Sequence, residues 1–343
     1  MTPMKRIARA APAAALACLL LAACAATQPD RSGPGYRYYV TGNPADVMKP
    51  TRALWVAQGG GDDVPQNFVR MGEYGGGGDF VVLRASGAAD YNDYIYGLCR
   101  CDSVETIAFD RGAAMEDPFV LEKIRSAEAI FIGGGDQSNY IRFWKDTPVE
   151  DAINFVAGKP APVGGTSAGM AVLGEYVYSA EGKESLTSAV ALADPYAPDL
   201  TLARGFLSLA GLEGTITDQH LQERDRIGRT VALLSRLQAD GWSGRPRAIA
   251  ADRETAVHID PAAGTAEVFA TADHPTPYAY FMQPAGAPTT CEPGRPLSTA
   301  PIAVYRLAPG GRFDLRAWSG SGGISYELRA TDGVLHSSRE SNY

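Results

Sequence analysis

Pro162-Val163-Gly164-Gly165-Thr166-Ser167-Ala168-Gly169-Met170-Ala171-Val172-Leu173 is the stretch from which the rest of the chain is placed. A short apolar run ends in glycines, a serine stands between two of them, and small and apolar residues follow at once. Gly165-Thr166-Ser167-Ala168-Gly169 has the Gly-x-Ser-x-Gly form of a nucleophile elbow, a sharp strand-to-helix turn that lifts the serine hydroxyl to the top of a sheet. Small neighbours are needed because the serine backbone is strained there and flanking side chains would strike the strand and helix packed beside it. Such a turn also aims the first helical N–H groups at a developing oxyanion.

Working back from the elbow, the chain alternates apolar strands with helical stretches. Strands are expected at 53–56, 79–83, 104–109 and 127–132, and helices near 65–71, 91–98, 118–125 and 149–156. That rhythm predicts an α/β fold, a doubly wound and mostly parallel sheet. Gly133-Gly134-Gly135-Asp136-Gln137 follows a buried strand, where ligands meet open α/β sheets. Neither Gly59-Gly60-Gly61 nor Gly75–Gly78 precedes Lys-Ser/Thr, which argues against a P-loop.

Beyond the elbow, a strand at 214–217 ends in Asp218-Gln219-His220, and 224–237 reads as a helix with apolar positions at 227, 231 and 234. Strands dominate from Pro246, and after a Pro-rich linker a small β extension closes the chain. The expected organisation is a leader at 1–23, a tether at 24–50, an α/β domain at 51–285, and linker plus extension at 286–343.

With 343 residues, 45% hydrophobic, the chain can bury a sizeable core, and its formal charge of −8 without a basic stripe argues against a nucleic-acid partner. Lys5, Arg6 and Arg9 precede an apolar run, Ala11–Leu20, too short to span a bilayer, and Leu21-Ala22-Ala23-Cys24 resembles a bacterial lipobox. Cleavage there takes the charge to −11 and leaves Cys24 as the lipidated first residue. The expectation is an exported, membrane-anchored lipoprotein, on the periplasmic side of an outer membrane. In that oxidising setting one bridge from Cys99 or Cys101 to Cys291 is open, with one thiol left over, whereas one between Cys99 and Cys101 would be strained; the sequence leaves the pairing undecided.

A serine needs a base within hydrogen-bond reach. Of four histidines, His258, His274 and His336 lie in the strand-rich tail and suit packing or surface roles, whereas His220, at a strand end, suits a base. The acid that orients it is sought between elbow and His220, among Glu175, Glu181, Glu184, Asp194 and Asp199, with Asp218 too near in sequence to face His220 easily.

Taken together, the Gly133–Gln137 run, the elbow, and Asp218-Gln219-His220 with Arg224, Arg226 and Arg229 resemble the cyanophycinase and aspartyl dipeptidase family of serine peptidases, over roughly 54–280. The resemblance implies a flavodoxin-like sheet related to class I glutamine amidotransferases, Ser167 as nucleophile and His220 as base. It implies an oxyanion hole from the N–H of Ala168 and one from Gly134 or Gly135, and an acid in the loop after the serine, Glu184 with Glu181 in reserve. Gln137, Asp218, Gln219 and the three arginines would hold substrate, guanidinium forks being matched to carboxylates. The implied substrate is an aspartyl peptide or a cyanophycin-like polymer releasing β-aspartyl-arginine, with no metal and no cofactor; a homodimer is left open. An α/β-hydrolase esterase and a non-catalytic peptide-binding lipoprotein are the alternatives.

Overall fold

The computed structural model describes residues 29–343. The leader, Cys24 and the start of the tether lie outside the described residues, and with them the expectations of export and lipid attachment.

Apolar runs such as Phe80-Val81-Val82-Leu83 are buried on both faces, the pattern of a parallel strand covered on either side. Five such strands stand side by side and parallel: Ser103–Phe109, Asp79–Arg84, Ala129–Ile132, Val163–Thr166 and Trp55–Gln58. Alternate residues face opposite ways. Val56, Phe80, Val82 and Phe131 meet Phe68 and Met71 of helix Pro65–Tyr74 and Ile95 of helix Asn92–Cys99. Val81, Leu83, Ile130 and Ile132 face the other way, towards Val120 and Ile124 of helix Pro118–Ser126, Trp144 of helix Gln137–Trp144 and Ile153 of helix Pro148–Gly158.

Parallel pairing stops at that centre. Tyr36–Gly42 joins Ser103–Phe109 antiparallel on one side, and Thr255–Asp260 joins Trp55–Gln58 antiparallel on the other, giving an eleven-stranded mixed sheet. The single, mostly parallel sheet expected from the alternation is therefore replaced by two mixed ones. The second, of eight strands, holds a parallel trio, Tyr176–Tyr178, Thr215–Asp218 and Arg247–Ala251, continued by antiparallel Ala279–Pro284, Ile302–Leu307, Ile324–Thr331 and Val334–Ser337. Helix Ile227–Ala239 covers one face of it, with Val231 and Leu234 in a cluster with Ile216, Ala248 and Met282. The other face shares a core with the first sheet, where Val177, Ile249 and Phe281 cluster with Ala57 and Val257. The tail thus lengthens both sheets, since Arg312–Asp314 also pairs with Thr265–Ala270.

Cys99 and Cys101 are bridged, with Cα atoms 5.2 Å apart, the pairing the sequence disfavoured as strained, and the bridge to Cys291 that it left open is not formed. The reason is location: Cys99 packs with the first sheet, while Cys291, a free thiol, packs with the core of the second.

The sheets meet where their parallel strands end. Gln58 accepts the Ser167 N–H at 3.0 Å through its carbonyl, and the next carbonyl, of Gly59, accepts the His220 N–H at 2.9 Å. The short helix Ala168–Ala171 sits so close to strand Ala129–Ile132 that a Cβ on Gly169 would stand 2.0 Å from the Ile132 carbonyl oxygen. No side chain can occupy that space without moving backbone. Gly169→Ala is therefore expected to cost about 2 kcal/mol or more in urea unfolding, whereas a cost under about 0.5 kcal/mol would mean the elbow shifts freely.

Candidate active site

Ser167 stands at φ 53°, ψ −114°, a backbone conformation open to few side chains and sustained by its surroundings at a cost of about 1–3 kcal/mol. Its hydroxyl lies 3.0 Å from His220 Nε2. His220 likewise has a positive φ of 50°, which turns the chain back on itself. That reversal brings Glu223, three residues on, to 2.6 Å from His220 Nδ1. A carboxylate only accepts, so Nδ1 carries the proton and Nε2 is left as acceptor for the Ser167 hydroxyl. Gly60 makes room for the ring: a Cβ there would stand 2.1 Å from Nε2.

The electrostatics agree with that order of protons. Burial pushes the His220 pKa below its ordinary value, reinforced by Arg224 and Arg226 and opposed by the hydrogen bond to Glu223. Burial works against the charge on Glu223, yet the His220 hydrogen bond and the field of Arg224 hold it below the usual carboxylate range. A neutral imidazole beside an ionised carboxylate is the resting state required of a general base.

Glu184, expected as the acid, is not at His220. It is exposed on the rim of the cleft, its backbone N–H 3.4 Å from Asp199 Oδ1. Glu181 is also exposed, and Glu175 accepts the Gly214 N–H at 2.6 Å. The search interval ended at His220, so Glu223 was missed. Its signal was local, since an acid three residues past a histidine can reach it wherever a left-handed residue folds the chain back.

The cleft above Ser167, about 240 Å³, is lined by Gly135, Gln137, Glu184, Gln219, Arg224 and Arg226 among others. Gly134 packs against Ser167, a Cβ there lying 3.5 Å from that of the serine, and Ala168 opens the helix after the elbow. The three positions expected to offer oxyanion N–H groups are thus gathered at the serine. Gln137 is buried at the start of its helix, giving one amide hydrogen to the Tyr178 carbonyl at 3.3 Å and keeping another.

The arginines separate sharply. The helix expected from 224 starts only at Ile227, so Arg224 and Arg226 leave from the preceding turn and reach the cleft. Arg226 is buried and its hydrogen-bond partners among the described residues are neutral, Gln219 Oε1 at 2.6 Å, the Gln219 carbonyl at 3.1 Å and Ser185 Oγ at 2.7 Å. Burial, with Arg229 nearby, pushes its pKa down to about 10, so it remains a cation lacking a carboxylate. Arg229, expected to hold substrate, is fully buried and paired with Asp218, likewise expected to do so. The Thr230 hydroxyl completes the Asp218 carboxylate at 2.8 Å, and the guanidinium lies 4.6 Å from the centre of the Tyr178 ring. Neither is among the residues lining the cleft: Arg229 leaves the first turn of the helix and is held by Asp218 at the end of its strand. Gln219, by contrast, does line it and orients Arg226.

His258 is buried against Asn67, 2.7 Å from Nε2 to Oδ1, and burial drives its pKa down to about 3, as suits a packing residue. Among the described residues no group of three or more His, Cys, Asp and Glu side chains is arranged to hold a metal ion.

A model of Peptidase family S51 matches residues 99–201, which include the elbow. The cyanophycinase of Trichormus variabilis is 27% identical over 135 residues, 39% of this chain and 42% of its own length. That of Geminocystis herdmanii is 34% identical over 121 residues, 35% of this chain and 40% of its own length. The chain thus spans about two-fifths of the curated relatives it matches. Among solved structures, a peptidase from an acI-B1 actinobacterium superposes with a TM-score of 0.51 at 14% identity, over 77% of this chain and 98% of that one, a likeness of fold.

Unpairing a buried charge is expensive, so Arg229→Met should destabilise the protein by about 3–5 kcal/mol in urea unfolding. Arg226→Met, which leaves no carboxylate stranded, should cost less than half as much. Equal losses would mean that the two guanidinium groups are held alike.

Proposed function

We propose that this chain, a member of the cyanophycinase and aspartyl dipeptidase family of serine peptidases, hydrolyses aspartyl-containing peptides through an acyl-enzyme on Ser167. The observation that carries the proposal is the line of hydrogen bonds from Ser167 Oγ to His220 Nε2 at 3.0 Å and from His220 Nδ1 to Glu223 at 2.6 Å. Beside it a buried Arg226 has, among the described residues, no anionic hydrogen-bond partner.

In the proposed reaction the Ser167 hydroxyl passes its proton to Nε2 as its oxygen bonds to the scissile carbonyl carbon. The oxyanion formed meets the N–H groups of Ala168 and the Gly134–Gly135 loop. The imidazolium, stabilised by Glu223, then gives its proton to the departing amine as the C–N bond breaks, leaving the acyl group on Ser167. Water repeats the sequence, its proton going to Nε2 and its oxygen to the acyl carbon. A free carboxylate product and the original serine result.

The cleft supports acidic substrates. A guanidinium buried among neutral groups attracts a carboxylate more strongly than one in water. Arg226, the exposed Arg224 and Gln137 line the same cleft as Ser167. An aspartyl carboxylate fits that charge, whether in a short peptide or in a cyanophycin-like polymer. The family's name for its relatives favours the polymer; the small cleft favours a short aspartyl segment at the point of cleavage.

The test is labelling and turnover on one set of variants. Wild-type protein should take a fluorophosphonate on Ser167 and cleave aspartyl peptides, and Ser167→Ala and His220→Ala should do neither. No label on folded protein would sink the proposal. Glu223→Gln should lower kcat by about a hundredfold or more, because an amide can hold the wrong imidazole tautomer. Glu184→Gln should leave the labelling rate unchanged; the opposite ranking would return the acid to Glu184.

A protonated His220 cannot accept the serine proton, so kcat/KM should hold above its pKa and fall as pH drops through it. With that pKa depressed, the acid limb should lie below the ordinary histidine value of about 6.5. Removing the Glu223 charge should move the limb lower still. An acid limb above 7 in the pH profile would contradict the geometry.

A further inference from the structure

His220, Glu223, Arg224 and Arg226 all stand on one turn, and two of its residues, His220 and Asp225, sit at positive φ, 50° and 47°. Residues in that region persist only where neighbours over-determine them. Inside the turn, the Arg224 N–H donates to the His220 carbonyl at 3.2 Å and the Arg226 N–H to the Leu221 carbonyl at 2.8 Å. Outside it, the buried Asp252 carboxylate accepts the Gln222 N–H at 3.0 Å. Ser188 gives both its N–H, at 2.7 Å, and its hydroxyl, at 2.8 Å, to the Asp225 carbonyl.

The remaining anchor comes from the far end of the described chain. The Tyr343 hydroxyl donates to Asp225 Oδ1 at 3.0 Å, lies 3.4 Å from the Leu221 carbonyl, and is 3.5 Å from the Ile227 N–H. One phenolic oxygen therefore touches the beginning, the middle and the end of the turn. Its ring packs edge-on to Tyr280 at 6.5 Å, and the Asn342 carbonyl before it accepts the Tyr326 hydroxyl at 2.8 Å. Burial, and the nearby Asp225 charge, push the phenol's pKa upward, which keeps it a donor.

We infer that Tyr343 is a positioning residue, holding the arginine-bearing half of the turn in the shape that receives substrate. Its contacts at Asp225 and Ile227 bracket Arg226, whereas His220 is tied separately to Gly59 and Glu223. Loss of the hydroxyl therefore loosens substrate capture more than proton transfer.

Tyr343→Phe keeps the ring and removes the bond, and the test has two arms on the full chain. In hydrogen–deuterium exchange, amides 224–227 of the variant should exchange faster by about three- to tenfold, the worth of about one hydrogen bond; exchange equal to wild type overturns the inference. The second arm rests on the peptidase reading. KM for an aspartyl peptide should rise by about three- to tenfold, with kcat and the rate of fluorophosphonate labelling of Ser167 within about twofold. An unchanged KM, or kcat and labelling falling in step with KM, overturns it. Asp225→Ala should reproduce the effect and the double variant should be no worse than either, as for two ends of one bond. If wild-type protein neither labels nor turns over, the peptidase reading fails, and the exchange arm still decides the brace.

Discussion

Two adjacent carbonyls hold this molecule's chemistry together. Gln58 and Gly59 end a parallel strand of the first sheet, and they accept the backbone N–H groups of Ser167 and His220 in turn. Ser167 belongs to the first sheet's elbow, and His220 stands two residues past the end of a strand of the second. The 3.0 Å contact between their side chains is thus set by a backbone seam, with Gly60 leaving space for the imidazole. Both residues occupy positive-φ conformations, and a strained backbone of that kind stays put only when bonds such as these outweigh its preference for relaxing.

Charge around the seam is sorted by depth. Arg229 and Asp218 are both inaccessible and neutralise one another, the guanidinium reaching both carboxylate oxygens and the Thr230 hydroxyl adding a second donor to Oδ2. Arg226 is nearly as buried yet meets only amide, carbonyl and hydroxyl oxygens, so its charge is left for whatever enters the cleft. Three arginines within six positions therefore have three environments, because one leaves an exposed turn, one leaves the same turn inward, and one leaves the helix. Solvation and pairing, not residue type, separate them.

The tail has a structural reason to be present. Strands after Ile302 extend both sheets, and their far end returns to the turn between His220 and Ile227. That turn lacks regular secondary structure, so its shape depends on bonds from outside, supplied by Gly59, Asp252, Ser188 and Tyr343. Distant pieces of chain thereby converge on the few residues nearest the proposed chemistry.

Much was legible in the sequence because it is local. The strand–helix alternation, the glycine-flanked serine and the strand-end histidine are each decided by residues within a few positions of one another, through steric limits on φ and the periodicity of apolar burial. What tertiary structure decided is pairing between remote segments. Apolar periodicity cannot tell one mostly parallel sheet from two mixed ones, since a buried strand reads the same whichever neighbour it meets. Nor could it say that Cys99 bridges Cys101, that Arg229 turns to Asp218, or that a left-handed His220 brings Glu223, and not Glu184, to its ring. Those outcomes depend on which atoms remain unsatisfied once the chain is packed, and that is a property of the fold as a whole.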